Sequence, residues 1–240
     1  MNQLDKIAQN YKPLDDFDSI ITKYSTKIIA PLCRNKSIIE CGCSSGMMTK
    51  ELIVNAQKID VIEGSKQFCQ IISDKFGTKI NNIINSNFED YTPTEKYDTI
   101  VFAHVLHHID NPTDMLNHLK TWLKPNGQIL ISVPNINSFH RQLGVQMGLL
   151  KDTNQESERN KFFLQKGRFT KESLTMLMNE SGFEVLQSKN FFFKPFHHDL
   201  MNQLLNSGNL TQELLDGLNN MGELYQDLAC HTFLQAKLKS

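Results

Sequence analysis

The sequence has no apolar run long enough to cross a bilayer and no surplus of either charge, and these absences narrow its function first. Its 240 residues carry 25 Lys and Arg against 26 Asp and Glu, a formal net charge of −1. That balance gives no global pull toward nucleic acid or an anionic membrane, so neither is expected as a partner. The opening MNQLDKIAQNYK lacks the apolar core of a secretory signal. Cys33, Cys41, Cys43, Cys69 and Cys230 are odd in number and dispersed. With no export signal they imply reduced thiols and a cytoplasmic location. Cys41-x-Cys43 lacks the second pair a zinc site needs and reads as strand-end and loop packing. No internal repeat or low-complexity tract is present.

What is there is the composition of a globular protein, 40% hydrophobic and 21% charged. Ile21, Tyr24 and Ile28 fall at helical spacing before Pro31. From residue 37 onward, strands alternate with helices. Strands are expected over 37–41, 59–62, 82–84, 97–103 and 128–133. Between them lie a helix from Gly46, a helix from Ser65 to a Gly77 cap, and a helix capped by Asn111-Pro112. This alternation predicts an α/β fold whose mostly parallel sheet is covered on both faces. Residues 135–169 lose the rhythm and read as an insertion with one helix over 143–150. Thr170 caps a further helix ending at Gly182, a strand follows over 183–193, and another over 230–238. Between those strands a helix over 211–228 carries a stripe of Leu214, Leu218, Met221, Tyr225 and Leu228. The chain thus divides into an N-terminal helical segment (1–35), a core of alternating strands and helices (36–134), a lid insertion (135–169), and a completion of the sheet with a helical cap (170–240).

The most informative segment is Ile38-Ile-Glu-Cys-Gly-Cys-Ser-Ser-Gly46. It puts an acid at the end of a first strand and glycines in the turn that follows. Gly42 lets backbone approach a ligand at the carboxyl end of the strand, where open α/β sheets bind their ligands. Glu63 ends the second strand, where a carboxylate accepts hydrogen bonds from ribose hydroxyls. Asn87-Phe88 follows the third strand and offers an amide and a ring to an adenine. His104 ends the fourth. Four such positions at four successive strand ends define a nucleotide-type site.

Glu40-x-Gly42-x-x-x-Gly46, Glu63, Asn87-Phe88, the run from Tyr97-Asp98 to His108-Ile109, and Leu123-Lys-Pro-Asn-Gly127 together resemble the successive motifs of class I methyltransferases dependent on S-adenosylmethionine (SAM). The group most resembled is the ubiquinone-biosynthesis-like methyltransferases of small molecules. The resemblance covers residues 36–134 well and 168–183 more loosely. It implies a seven-stranded Rossmann-like sheet and SAM as cofactor, released as S-adenosylhomocysteine. It also implies a cofactor site of Glu40, Gly42, Cys43, Gly46, Glu63, Gly64, Asn87, Phe88 and His104. The family's usual middle glycine of the loop is Ser44 here, and its usual adenine-site acid is Asn87. A nicotinamide-binding Rossmann domain uses similar signals; the histidine-rich segment after strand four favours SAM.

In Ala103-His-Val-Leu-His-His-Ile109 a helical continuation would place His104, His107 and His108 on one face. These are the candidate catalytic residues. His104 is read as touching the methionine part of the cofactor and His108 as structural, while His107 is the best general base. The resemblance adds a third reading, since ubiquinone-pathway enzymes carry two glutamates and a histidine here that can ligate a divalent ion. Those positions fall on His104, His107 and His108, but both carboxylates are absent and no metal is expected. For the acceptor, Asn135, His140 and Arg141 in the lid, and His197 and His198 beyond the phenylalanine run, are the candidates. The expected function is methylation of a small-molecule acceptor, chiefly on oxygen, by a monomer or homodimer. The alternatives are an RNA or protein methyltransferase and a non-catalytic SAM-binding sensor or scaffold.

Overall fold

The computed structural model describes residues 4, 5, 8 and 16–239. Much of the expected N-terminal segment before residue 16 lies outside the described residues. In chain order the helices are α1 (Asp18–Ile29), α2 (Met47–Asn55), α3 (Lys66–Phe76), α4 (Pro112–Lys120) and α5 (Phe139–Gln146), followed by α6 (Glu158–Phe162), α7 (Lys171–Glu180), α8 (His198–Asn206) and α9 (Gln212–Leu224). The strands are β1 (Ser37–Cys41), β2 (Lys58–Glu63), β3 (Asn82–Asn85), β4 (Tyr97–Ala103), β5 (Leu123–Pro134), β6 (Phe183–Phe191) and β7 (His231–Leu238). They form one sheet in the spatial order β3-β2-β1-β4-β5-β7-β6. β1 to β5 pair in parallel, and β7 runs antiparallel to both β5 and β6. The strand order reverses direction between β1 and β4, and the crevice beyond their carboxyl ends is where such sheets take ligands.

The side-chain period of two divides each central strand between two cores. Ile38 joins Val101 and Leu130 on one face, covered by α1, α2, α3, α8 and α9 through Ile21, Leu52, Ile72, Met201 and Leu215. Ile39 joins Ile100 and Ile129 on the other, under Met115 and Leu119 of α4 and Leu174 and Met178 of α7. A strand buried on both sides has no solvent-facing side, which is why Ile38-Ile39 and Ile100 to Ala103 are apolar at successive positions. The caps expected from sequence form: Ser65 accepts from the Phe68 N–H, Asn111 from that of Asp114, and Thr170 from that of Ser173. All five cysteines are buried free thiols.

Four expectations need correction. The helix placed at 143–150 runs Phe139–Gln146, because Gly148 adopts a left-handed φ of 72° and turns the chain back. The polar stretch after it holds a short helix, α6, started by a Ser157/Asn160 capping box. The strand expected to reach 193 stops at Phe191, since Phe192 turns left-handed (φ 60°). After Pro195 the chain enters α8, with His197 at its cap and His198 in its first turn. Finally, the stripe expected in α9 is rotated. Leu215, Leu218 and Gly222 face inward while Leu214, Met221 and Tyr225 are exposed. A Cβ on Gly222 would stand 2.5 Å from the Phe192 nitrogen, so the closest approach is made by a residue that no hydrophobic pattern registers.

Candidate functional site

At the carboxyl end of β1 the chain makes a tight turn into α2. Gly42 and Gly46 take φ values of 76° and 82°, the region L-residues avoid. Ser44, between them, also has a positive φ of 48°, and its buried hydroxyl has no hydrogen-bond partner. A Cβ on Gly46 would come within 2.6 Å of the Phe76 ring, so this glycine seats the turn against α3. Two carboxylates lie beneath the turn. Glu40 is buried and accepts from the Thr49 hydroxyl at 2.6 Å. Burial, offset in part by that bond and reinforced by the charge of Glu63, pushes its carboxyl up to about 8. Glu63, at the end of β2, accepts from the Ser65 N–H at 2.9 Å and the Ser44 N–H at 3.3 Å. Burial raises its carboxyl above the usual range, while these backbone donors and the Cys43 thiol pull it down. The turn and Glu63 therefore form one hydrogen-bonded unit.

Asn87 and Phe88 follow β3. The Asn87 amide is exposed and donates to Asp90 at 2.9 Å, and the Phe88 ring meets Phe102 edge-on at 5.6 Å.

The histidine segment is not one helical face. Only Leu106–His108 forms a 3₁₀ turn, and His104 has a left-handed φ of 60°. His104 turns to Ser25, with Oγ and Nε2 2.9 Å apart, and to the His231 ring, 5.3 Å between centroids. His107 and His108 stack on each other at 4.1 Å. Burial holds every one of these imidazoles below the ordinary range, His104 at about 4 and His107 well below its ordinary value. The neighbouring histidines lower His107 again, and its Nδ1 has no partner. Among the described residues, the three histidines are not a group whose ligand atoms converge; Asp16, Asp18 and His198 are.

The 135–169 segment is clamped at both ends. Asn135 bridges Phe169, and the Ile136 N–H donates to the Phe169 carbonyl at 3.0 Å. Its return arm lies on the histidine turn, where the N–H groups of Lys166 and Gly167 donate to the His107 carbonyl. Two of the expected acceptor residues are occupied within the fold. The Asn135 amide donates to the carbonyls of Ala229 and Asp227 and accepts from the Asn137 N–H. The Arg141 guanidinium donates to the carbonyls of Thr153 and Gln155, tying α5 to the loop after it. His140 is half-buried with an enclosed, partnerless Nδ1, and desolvation depresses it well below the usual range. His198 sits 3.0 Å from Asp16, whereas His197 is exposed.

Sequence reasoning missed three features. Arg159 bonds both Asp16 and Asp18, at 3.2 and 2.6 Å, joining α6 to the start of α1. Burial opposes ionisation of Asp16, but His198, the Asp18 N–H and Arg159 overcome it and hold the carboxyl down to about 2. His231 enters the histidine cluster from β7, at an inward-facing strand position that a pattern of apolar residues passes over. Lys194 is buried, its ammonium 5.4 Å from the centre of the Phe17 ring. Only its place directly after three phenylalanines marked it.

One cavity of about 960 Å³ gathers these parts. Glu40, Gly42, Cys43, Glu63, Gly64, Asn87 and Phe88 line one part of it. His104, His107, His108, Asn135, His140, Arg141, His197 and His198 line the rest, together with Lys194 and His231. Gly46 shapes the turn from behind and is not in the wall. The volume is at the top of the range for small-molecule sites, enough for two ligands side by side.

The family model of the methyltransferase domain matches residues 16–188. Over 99 residues, 40% of this chain and 38% of the relative, the chain is 33% identical to a malonyl-[acyl-carrier protein] O-methyltransferase of Ilyobacter polytropus. It is 26% identical over 113 residues to the mitochondrial ubiquinone biosynthesis O-methyltransferase of Dictyostelium discoideum, covering 41% of this chain and 35% of that one. The match thus spans less than half the length of either relative. In structure the chain resembles the magnesium protoporphyrin IX methyltransferase of Synechocystis with bound S-adenosylhomocysteine. The TM-score is 0.62 at 12% identity, over 92% of this chain and 84% of that one.

Proposed function

The chain belongs to the methyltransferase domain family, and from that premise we propose that it transfers a methyl group from SAM to an oxygen of a small molecule. The observation that carries this reading is the single cavity that joins the glycine turn and Glu63 to the histidine turn across the switch point between β1 and β4. The donor set fits the cofactor. Glu63, an acceptor-only carboxylate fixed by backbone N–H groups, holds the ribose hydroxyls. The backbone of Gly42, Cys43 and Gly64 follows the cofactor closely, and the partnerless Ser44 hydroxyl faces the same turn. Gly46 keeps the turn tight, and Glu40 braces it from below through Thr49. Asn87 and Phe88 take the adenine edge and face, and His104 stands beside the methionine part.

SAM supplies a methyl group on a sulfonium, and displacement by the acceptor leaves S-adenosylhomocysteine. The protein's part is to align acceptor and methyl group and to keep water out; alignment alone is worth several kcal/mol. Residues 135–169 serve as the cover, since their ends are bridged to each other and their return arm rests on His107. His107, neutral and with a free Nδ1, orients the acceptor by hydrogen bonding.

The test is incubation of the purified protein with methyl-labelled SAM and an extract of its source cells, followed by fractionation. Label in small molecules supports the proposal. Label in RNA or protein overturns it in favour of a macromolecular acceptor. Absence of transfer despite measurable S-adenosylhomocysteine binding points to a sensor or scaffold.

A further inference from the structure

Among the described residues four Lys and Arg side chains line the cavity, and three are already partnered. Arg159 is bound by Asp16 and Asp18, Lys166 by Asp110, and Arg141 by two backbone carbonyls. Lys194 is the exception. Among the described residues its ammonium has neither a hydrogen bond nor an ion pair, and it lies more than nine-tenths buried at the cavity wall. Its ammonium lies 5.4 Å from the centre of the Phe17 ring, a weak attraction beside the cost of removing an ammonium from water. The nearest carboxylates, Asp16 and Asp18, are engaged with Arg159 and His198 and stand beyond ion-pair distance of Lys194.

A buried charge without a partner is costly to the fold, and a site that binds an anion is a reason for keeping it. The position fits. The charge of Lys194 is felt by His140 and by His231, whose ring meets His104 at the end of β4. The ammonium therefore stands with His140, in the part of the cavity read above as the acceptor's.

We propose that Lys194 binds the carboxylate that receives the methyl group, so that the acceptor is an organic acid converted to its methyl ester. This rests on the methyl-transfer reading above. A carboxylate oxygen forms the new bond to the methyl carbon as the carbon–sulfur bond breaks. The sulfur keeps the electron pair and becomes a neutral thioether, and no proton is released. That balance suits the site, because an alcohol must lose a proton and desolvation lowers the basicity of His104, His107, His140 and His231. A carboxylic acid is already ionised near neutral pH.

A methyl ester is cleaved by alkali to volatile methanol, whereas a methyl ether or methylamine is not. Labelled product from methyl-labelled SAM and source-cell extract is treated with alkali, and the volatile label is counted for wild type, Lys194→Met and Lys194→Arg. Alkali-labile label with wild type, an at least about tenfold loss in Lys194→Met and partial recovery in Lys194→Arg, with S-adenosylhomocysteine affinity unchanged throughout, is the expected pattern. Alkali-stable label, or full transfer by a folded Lys194→Met, overturns the carboxylate assignment and leaves methyl transfer standing. Lack of any label with wild type removes both. The lability of the wild-type product is decisive even if a variant fails to fold.

Discussion

The two halves of the cavity are built by opposite means. The half around Glu63 is local: a strand end, a glycine turn and a helix start, with backbone N–H groups fixing the carboxylate over distances of 2.9 to 3.3 Å. The half around Lys194 is assembled from afar. His104, His140, Lys194 and His231 come from four separate stretches of chain, and Arg159 and Asp16, which also holds His198, add two more. On the proposed reading, the cofactor is met by a turn built from neighbouring residues, while the acceptor is met by side chains carried on loops and connections.

If the turn is the rigid half, damage to it should cost most. Gly46→Ala forces a Cβ against Phe76 in a left-handed position and is expected to lower unfolding free energy by about 1–3 kcal/mol, read by urea titration. Unchanged stability would mean that the turn yields easily. A smaller effect sits in the carboxylate beneath it. The folded protein keeps Glu40 protonated up to about pH 8, whereas an unfolded chain releases that proton near pH 4.5. Its contribution is full below the unfolded pKa and is lost as pH rises through the folded one. The melting temperature of the ligand-free protein should therefore fall from pH 6 to pH 8.5 by more than that of Glu40→Gln. Parallel profiles for the two proteins would show that Glu40 is ionised in the fold. The smallest change is a gain. Ser44→Gly relieves a left-handed non-glycine and an unsatisfied hydroxyl, and should add about 0.5–1 kcal/mol to the unfolding free energy, read by the same urea titration.

The same contrast governs what the sequence discloses. The central strands and the turn at 42–46 are written in neighbouring residues: buried apolar runs, Gly42 and Gly46, caps at Ser65, Asn111 and Thr170. The usual glycine of the family stands at Ser44, and the positive φ there explains that preference. Beyond residue 134 the determinants are long-range. Helix α8 follows a left-handed phenylalanine, which no propensity anticipates. The inward face of α9 is set by Gly222 against Phe192, so a stripe of large residues pointed the wrong way. Helix α6 alone was within reach, through the Ser157/Asn160 box. Asn135 and Arg141 have the chemistry of acceptor ligands, but their bonds to distant backbone carbonyls belong to tertiary structure. Lys194 and His231 gain meaning only once β6 and β7 bring them to the cavity.

The most direct test of the division is a calorimetric titration of S-adenosylhomocysteine into wild type, Glu63→Ala and Lys194→Met. If Glu63 holds the ribose and Lys194 stands on the acceptor side, Glu63→Ala weakens binding at least about tenfold and Lys194→Met leaves it unchanged. Equal affinity for Glu63→Ala and wild type, or a loss confined to Lys194→Met, would contradict the assignment of the two halves.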